Sequence, residues 1–472
     1  MRASVKTVDE RNPLGYEKIG KLMLSFAIPA IVGMVVNAVY NLVDQVLIGW
    51  SDIGMLGIGA TTVSFPFTTI MNALGLVISV GCAANFNLSL GAGNKDRAAR
   101  FAGNAISLGV IVGILFSIVA LIFLRPLLTL FGATEDIMPY AVEYTRIIIF
   151  GIPFAILSSI FSLLIRADGS PRFSMVCMLA GALFYLIFDP IALFVFDLGI
   201  QGIAIATSCS MLLSAIMGAL YFVKSFRSAK LVRDSFRIRW AEVKSICSLG
   251  TAAFINQIAM TAMQIVLNNA LKKYGALSVF GSNAVISCVG SINKVNMIFH
   301  SILIGIGQGC QPINGFNYGA QQYDRVKRTY KLAFITASCL AACMFIVYQI
   351  FPKQILLSFG NNPDTFFEFG ARYMRIYMFM TFLSGVQPIT ANFFTSIGKS
   401  KKGSFIALTR QIIFLIPLLL ILPRFFGIDG VLYAGPIADF AAATVGILLV
   451  VNEMKKMTAM QNEVDGNPVL PV

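Results

Sequence analysis

The chain has 472 residues, 57% of them apolar and 12% charged, with a mean hydropathy of +0.79. A soluble globular domain carries about 25% charged residues, so this composition excludes one and implies a polytopic membrane protein. The net charge of +14 fits a nucleic-acid binder only if the basic residues gather on one soluble domain, and they are dispersed.

Residues 1–22 are polar, mixed in charge and lack a small-residue cleavage motif, so no removable signal peptide is expected. Hydropathy then predicts twelve spans, at about 23–48, 56–88, 101–123, 139–165, 173–196, 202–223, 247–270, 277–307, 330–350, 369–396, 403–423 and 430–451. The organisation expected is an N-terminal segment (1–22), an N-lobe (23–223), a linker (224–246), a C-lobe (247–451) and a C-terminal tail (452–472). The linker, KSFRSAKLVRDSFRIRWAEVK over Lys224–Lys244, reads as an interfacial amphipathic helix.

Of the 36 Lys and Arg residues, 26 fall in the termini and the even-to-odd connections, whereas Arg125, Lys272, Lys273, Lys353 and Arg424 occupy the opposite loops. By the positive-inside rule both termini are cytoplasmic. The eight cysteines have neither metal-site nor disulfide spacing and read as small core residues.

The two halves repeat. At an offset of 228, GCAANFNLSLGAGNKDRAAR (81–100) falls on GCQPINGFNYGAQQYDRVKR (309–328), pairing Gly81 with Gly309, Gly91 with Gly319, Asp96 with Asp324 and Arg97 with Arg325. The same register pairs Gly199 and Gly202 with Gly427 and Gly430, and a shift of one pairs Tyr144 and Arg146 with Tyr373 and Arg375. Six spans per half make the repeats parallel, related by a pseudo-two-fold axis along the membrane normal. The fold class expected is therefore all-α: twelve transmembrane helices in two pseudo-symmetric six-helix bundles with a cleft between them. In the basic turns of the repeat, glycine is expected to permit the tight turn and arginine to hold topology.

Ionisable residues inside the spans are Asp44, Asp189, Lys294, His300, Arg410 and Asp439. A charged side chain at membrane depth costs roughly 2.5–3.5 kcal/mol on insertion scales, so each needs a partner, a cavity or a proton. Asp44 lies roughly 8 Å from the outer end of the first span and Asp189 roughly 12 Å from that of the fifth. Two carboxylates close together in low dielectric hold at least one proton, which suits a proton-coupling site. Asn37, Tyr40, Asn41 and Thr207 are the neighbours available to hydrogen-bond them, and Pro29 is a candidate hinge in the first span. Arg410 and Asp439 are a candidate inter-helix ion pair. His300 is the single histidine, which excludes an imidazole metal cluster and suits a buried neutral role.

The phrases NLVDQVLIG around Asp44, FDPIALFVFDLGIQGIAIAT (188–207) and QGCQPINGFNYGA (308–320) resemble the multidrug and toxic compound extrusion (MATE) family, closest to MepA-like members of its DinF-type branch. The resemblance covers nearly the whole chain. It implies twelve helices in two lobes and cation-coupled export of organic compounds. It also implies that Asp44, fifteen residues after Pro29, is a protonation site, with Asp189, Thr207 and Tyr144 beside it. Relatives often place asparagine four residues before the fifth-helix aspartate, where this chain has Tyr185; a phenol is bulkier and lacks the amide's second group. NorM-type members use acids in helices seven and ten for sodium, yet residues 247–270 hold no Asp or Glu and the tenth span only Glu368 at its start.

The expectation is a monomeric antiporter of the bacterial inner membrane that exports amphipathic, often cationic compounds in exchange for protons, with Na+ as the alternative ion and no cofactor. Asn37, Tyr40, Met260, Gln264, Asn268 and Met297 are the candidate cleft residues, since amide, aromatic and thioether groups suit a surface that repacks around varied ligands. The rivals are an exporter of a metabolite or lipid-linked sugar, and a channel or receptor. An intramembrane enzyme is disfavoured because no nucleophile–base pair or ligand cluster is apparent.

Overall fold

The computed structural model describes residues 12–50, 54–131, 133, 135–357 and 364–464; the side chains of residues 37, 40–50, 54–56, 58, 59, 62, 282, 283, 287 and 464 lie outside that description. A short helix α1 (Pro13–Tyr16) precedes the first crossing, α2 (Ile19–Trp50). The remaining crossings of the first half are α3 (Gly54–Gly91), α4 (Lys95–Ile122), α6 (Met138–Ala167), α7 (Pro171–Phe194) and α8 (Gly199–Lys224), with α5 (Leu124–Leu130) between the third and fourth. In the second half α9 (Trp240–Ala276), α10 (Ser282–Gly319) and α11 (Tyr323–Ile350) cross, followed by the short α12 (Pro352–Leu357). The last crossings are built from α13 (Asp364–Ile376) with α14 (Val386–Ser396), α15 (Ser400–Leu408) with α16 (Ile416–Phe426), and α17 (Ile428–Val464).

Among the described residues the chain makes twelve crossings, of which the tenth and eleventh are irregular. Eleven stretches of helix there are long and apolar enough to span a bilayer. The tenth falls short because α13 stops at Ile376 and the chain passes through a 3-10 turn, Thr381–Leu383, before α14 begins. At the break the Met378 carbonyl accepts both the Thr381 amide at 3.1 Å and the Thr381 hydroxyl at 2.6 Å. In the eleventh crossing a π-helical stretch, Thr409–Leu415, joins α15 to α16. Their first-half counterparts, α6 and α7, run unbroken.

The N-lobe is built on α6, whose Ile148, Ile152, Ile156, Ile160 and Leu164 recur every fourth residue and are all buried. That spacing lines one helical face with branched apolar groups and makes α6 the post against which α3, α4 and α8 pack. The C-lobe core gathers Leu271, Val285, Ile292, Phe369, Leu415 and Val431. Met23 of α2 packs with C-lobe residues Phe299 and Leu303, whereas Leu22 and Phe26 pack with the N-lobe. The first helix therefore starts between the lobes.

The duplication is visible in backbone conformation. Gly93 and Gln321 (φ +75° and +62°), Gly169 and Gly398, and Gly199 and Gly427 all take the left-handed region, and each pair is related by an offset of 228 or 229. Gln321 is strained where its counterpart is glycine. Gly93 is thus the glycine of the tight turn, and Gly91 has another purpose: a Cβ there would collide with the Phe316 carbonyl, as one at Gly319 would with the Leu88 carbonyl. The two contacts are reciprocal at an offset of 228, so the pseudo-two-fold axis passes between the ends of α3 and α10. Gly81 sits equally tight against Ile246 of α9, and Gly309 against Ala27 of α2. The lobes are sealed together at the end that carries the termini.

The linker is not the amphipathic helix expected over Lys224–Lys244. α9 already begins at Trp240, and before it the connector holds only a 3-10 turn, Arg233–Phe236. Its backbone is tied down by side chains instead. Asp168 accepts from the Tyr221 hydroxyl at 2.5 Å and from the Ser228 amide at 2.9 Å. Burial pushes the Asp168 carboxyl above the ordinary carboxylate range, and these hydrogen bonds offset part of that rise. Beyond residue 451, α17 continues to Val464, and there Lys399 and Lys402 clamp the fully buried Glu453.

Candidate functional site

Asp189 lies in the C-terminal half of α7 and is completely buried, as is Tyr185 one turn earlier on the same helical face. Tyr144 on α6 and Thr207 on α8 are also buried. The helices α6, α7 and α8 pack against one another, so the predicted fourth-, fifth- and sixth-span residues share one lobe interior. Thr207 donates its hydroxyl to the Ile203 carbonyl at 2.9 Å, which leaves its oxygen as an acceptor for a protonated neighbour. Nearby polar groups are similarly tied: Ser64 of α3 and Thr145 of α6 share a hydrogen bond of 2.6 Å.

The side chains of Asp44, Asn37, Tyr40 and Asn41 lie outside the described residues. Their helix, α2, is described, and it packs along α7. Gly33 of α2 touches the Met178 thioether of α7. Pro29 is buried within α2.

The cleft candidates divide. Met260 and Met297 are exposed, at 40% and 48%, and Asn268 is exposed with its carbonyl accepting from Gln264 at 3.0 Å. All four lie on α9 and α10, in the halves of those helices away from the sealed end. Lys294 is likewise exposed.

The C-lobe contains a second polar centre that the sequence only partly disclosed. Arg410 and Asp439 form the expected ion pair, Nε to Oδ1, between the π-helical stretch and α17. Arg410 also donates to Gln411 at 3.4 Å. α17 also packs against α13 and the Thr381–Leu383 turn, where the Tyr373 and Tyr377 rings stack 4.6 Å apart as α13 ends, and His300 is half-buried on α10. Tyr373 is the repeat mate of Tyr144, so both lobes place a buried tyrosine at this position of the repeat. The irregular backbone of the tenth and eleventh crossings thus coincides with the charged centre of the C-lobe; hydropathy carries no signal for such breaks.

Comparison with known proteins bears on these features. The MatE family profile matches residues 29–191 and again 252–421, once in each half. The multidrug export protein MepA of Staphylococcus aureus strain bovine RF122 / ET3-1 is 24% identical over 444 residues, covering 94% of this chain and 96% of MepA. MepA of Staphylococcus haemolyticus strain JCSC1435 is 23% identical, covering 93% and 95%. Among solved structures, the MATE multidrug transporter DinF-BH is 32% identical with a TM-score of 0.85, covering 94% of this chain and 97% of that one. An outward-facing MATE family transporter of the MOP superfamily has the same fold at 22% identity, with a TM-score of 0.87 over 94% and 98%. With both halves matched over more than half its length, this chain belongs to the MatE family of transporters.

Proposed function

We propose that this protein is a multidrug efflux antiporter that exports amphipathic, often cationic organic compounds by alternating access, coupled to protons at the N-lobe acids. The reading is supported by family membership and by the names of the relatives, a multidrug export protein and a multidrug transporter. The observation that carries it is the buried carboxylate of Asp189 in a lobe that is sealed to its partner at the end carrying the termini. A carboxylate at membrane depth is costly to place, so its presence there marks it as the candidate carrier of the coupling ion.

Helix register supports a partnership with Asp44. From the Gly33–Met178 contact, Asp44 and Asp189 are each eleven residues further on, about three turns along helices that both run outward, which returns both to the same face and level. Tyr40, Asn41, Tyr144, Tyr185 and Thr207 complete the coupling site in this reading. Protonation of the pair removes its charge and releases a cationic ligand; coupling follows if substrate affinity differs between the two states. Pro29 allows α2 to bend as that happens. Asn37, Met260, Gln264, Asn268 and Met297 line the cleft, in which thioethers and amides adapt to varied ligands.

The basic connections all lie at the sealed end, so in this reading that end faces the cytoplasm and the cleft opens outward. The membrane is the bacterial cytoplasmic membrane, an assignment that the Staphylococcus origin of the relatives supports, and the functional unit is the monomer, which contains the whole cleft. Proteoliposome transport under separately imposed pH and Na+ gradients tests the coupling ion: uptake of a lipophilic cationic dye into inverted vesicles driven by pH alone supports protons, and uptake driven by Na+ alone replaces them with Na+ as the ion at the same carboxylates.

A further inference from the structure

Among the described residues a one-turn helix leads into the first crossing of each half and lies against the other lobe. In the first half this is α1, Pro13–Tyr16, and in the second it is the 3-10 turn Arg233–Phe236, 220 residues later. The same offset relates the Phe26–Ala27 stretch of α2, which meets Gly309, to Ile246 of α9, which meets Gly81. The two lead-in turns are therefore repeat mates, and both cross the seam between the lobes.

Their anchors are specific. Arg325, at the start of α11 in the C-lobe, donates through Nη2 to the Leu14 carbonyl at 3.0 Å and the Glu17 carbonyl at 2.8 Å, one within α1 and one on the residue that follows it. Its Nε donates to Asn317 Oδ1 at 2.9 Å, and the Asn317 amide donates in turn to the Leu14 carbonyl at 2.9 Å. The Leu14 side chain is 1% exposed and packs among residues of both lobes, including Phe86 and Phe316. On the other side Asn104 of α4, in the N-lobe, donates to the Ser235 carbonyl at 3.3 Å and accepts the Arg239 amide at 2.7 Å, while Ser107 donates to the Phe236 carbonyl at 2.8 Å. Arg100 and Glu242 add an ion pair at 3.4 Å.

We propose that these two lead-in turns are paired latches holding the lobes together on the cytoplasmic side, with Arg325 and Asn104 as the positioning residues that set how often that side opens. The proposal rests on the alternating-access reading, because only a seam that must part gives its cross-lobe ties a kinetic role. The anchoring hydrogen bonds of Arg325 and Asn104 reach backbone carbonyls and amides in or beside a short turn, so they can be released without unfolding a membrane-spanning helix. The latches are unequal: α1 is held by a guanidinium, whose charge-assisted hydrogen bonds are about twice as strong as neutral ones, and the Arg233–Phe236 turn by an amide and a hydroxyl.

The test is a distance measurement between spin labels at Arg172→Cys and Lys401→Cys, exposed repeat mates at the cytoplasmic ends of the fifth and eleventh crossings, in the full chain freed of its other cysteines. Arg325→Ala is expected to raise the separated population about tenfold, and Asn104→Ala about threefold, from the loss of hydrogen bonds of these two kinds. Arg325→Lys keeps the charge but not the fork and falls between Ala and the parent. Populations identical to those of a parent that does separate overturn the latches and leave alternating access standing. A parent and variants that all remain closed, at pH 5 and pH 8 and with a lipophilic cationic dye, overturn both. Hydrogen exchange on the unsubstituted protein gives a second reading: under whichever condition separates the labels, Leu14–Glu17 and Ser235–Arg239 should lose protection together, and unchanged protection there contradicts the proposal.

Discussion

The two lobes descend from one repeat but handle a buried aspartate differently. In the C-lobe Asp439 is closed by Arg410, and the ion pair sits where two crossings lose their regular helical backbone. In the N-lobe Asp189 lies on an unbroken helix above Tyr185, flanked by helices bearing Tyr144 and Thr207. The two repeats thus place a buried acid in different electrostatic company, one against a guanidinium and one among helices that carry hydroxyl groups. A duplicated scaffold can therefore give its two halves different electrostatic settings, and in the function proposed above the exchangeable charge belongs to the N-lobe.

Three sets of substitutions test this contrast between the lobes. The largest effect is expected from separating the C-lobe pair. Asp439→Ala leaves a buried guanidinium uncompensated and should lower stability by about 3–5 kcal/mol, read as a drop in melting temperature in detergent. Arg410→Met combined with Asp439→Leu should recover most of that loss, because both desolvated charges are gone; a double variant no more stable than the single would mean the pair is not the source of the effect. Next in size is the seam. Gly91→Ala and Gly319→Ala should each cost about 1–3 kcal/mol, as overpacking does, and by similar amounts, because their contacts are reciprocal. Gly93→Ala, where a Cβ would meet nothing, should cost about 1 kcal/mol from its positive φ alone. Unequal costs at positions 91 and 319 in a melting series would contradict the symmetric seam. The smallest effect is Tyr185→Phe, which removes one hydroxyl from the N-lobe interior and should change stability by about 1 kcal/mol. It should also displace the pH dependence of dye efflux, whereas an unaltered pH profile would place the phenol outside the coupling site.

Much of this molecule was legible from the amino-acid sequence, for identifiable reasons. Apolar length marks a membrane crossing, and a repeat in register marks a duplication, so the crossings, the two lobes and the glycine pairs could be read directly. The Arg410–Asp439 pair was available because buried charges at membrane depth need partners. Other features were hidden because they depend on tertiary contacts. Gly91 looked like a turn residue, yet its lack of a side chain serves the approach of Phe316. The basic linker looked amphipathic, but hydrogen bonds from Asn104 and Ser107 to its backbone hold it in an irregular path. Nothing in the hydropathy of the tenth span announces its break at Tyr377–Gly385, which neighbouring side chains such as Thr381 make tolerable. The lead-in turns are four residues each, too short for any periodicity to register.

In the proposed function the exchangeable charge resides in the N-lobe. The most direct measurement is pH-gradient-driven dye transport by Asp189→Asn and Asp44→Asn in proteoliposomes, with Arg410→Met/Asp439→Leu alongside. Loss of gradient-driven transport is expected in both N-lobe variants, with folded protein and retained dye binding, and coupled transport by the C-lobe double variant. Transport at the parent's rate by either Asn variant, still abolished by an uncoupler, would contradict that expectation.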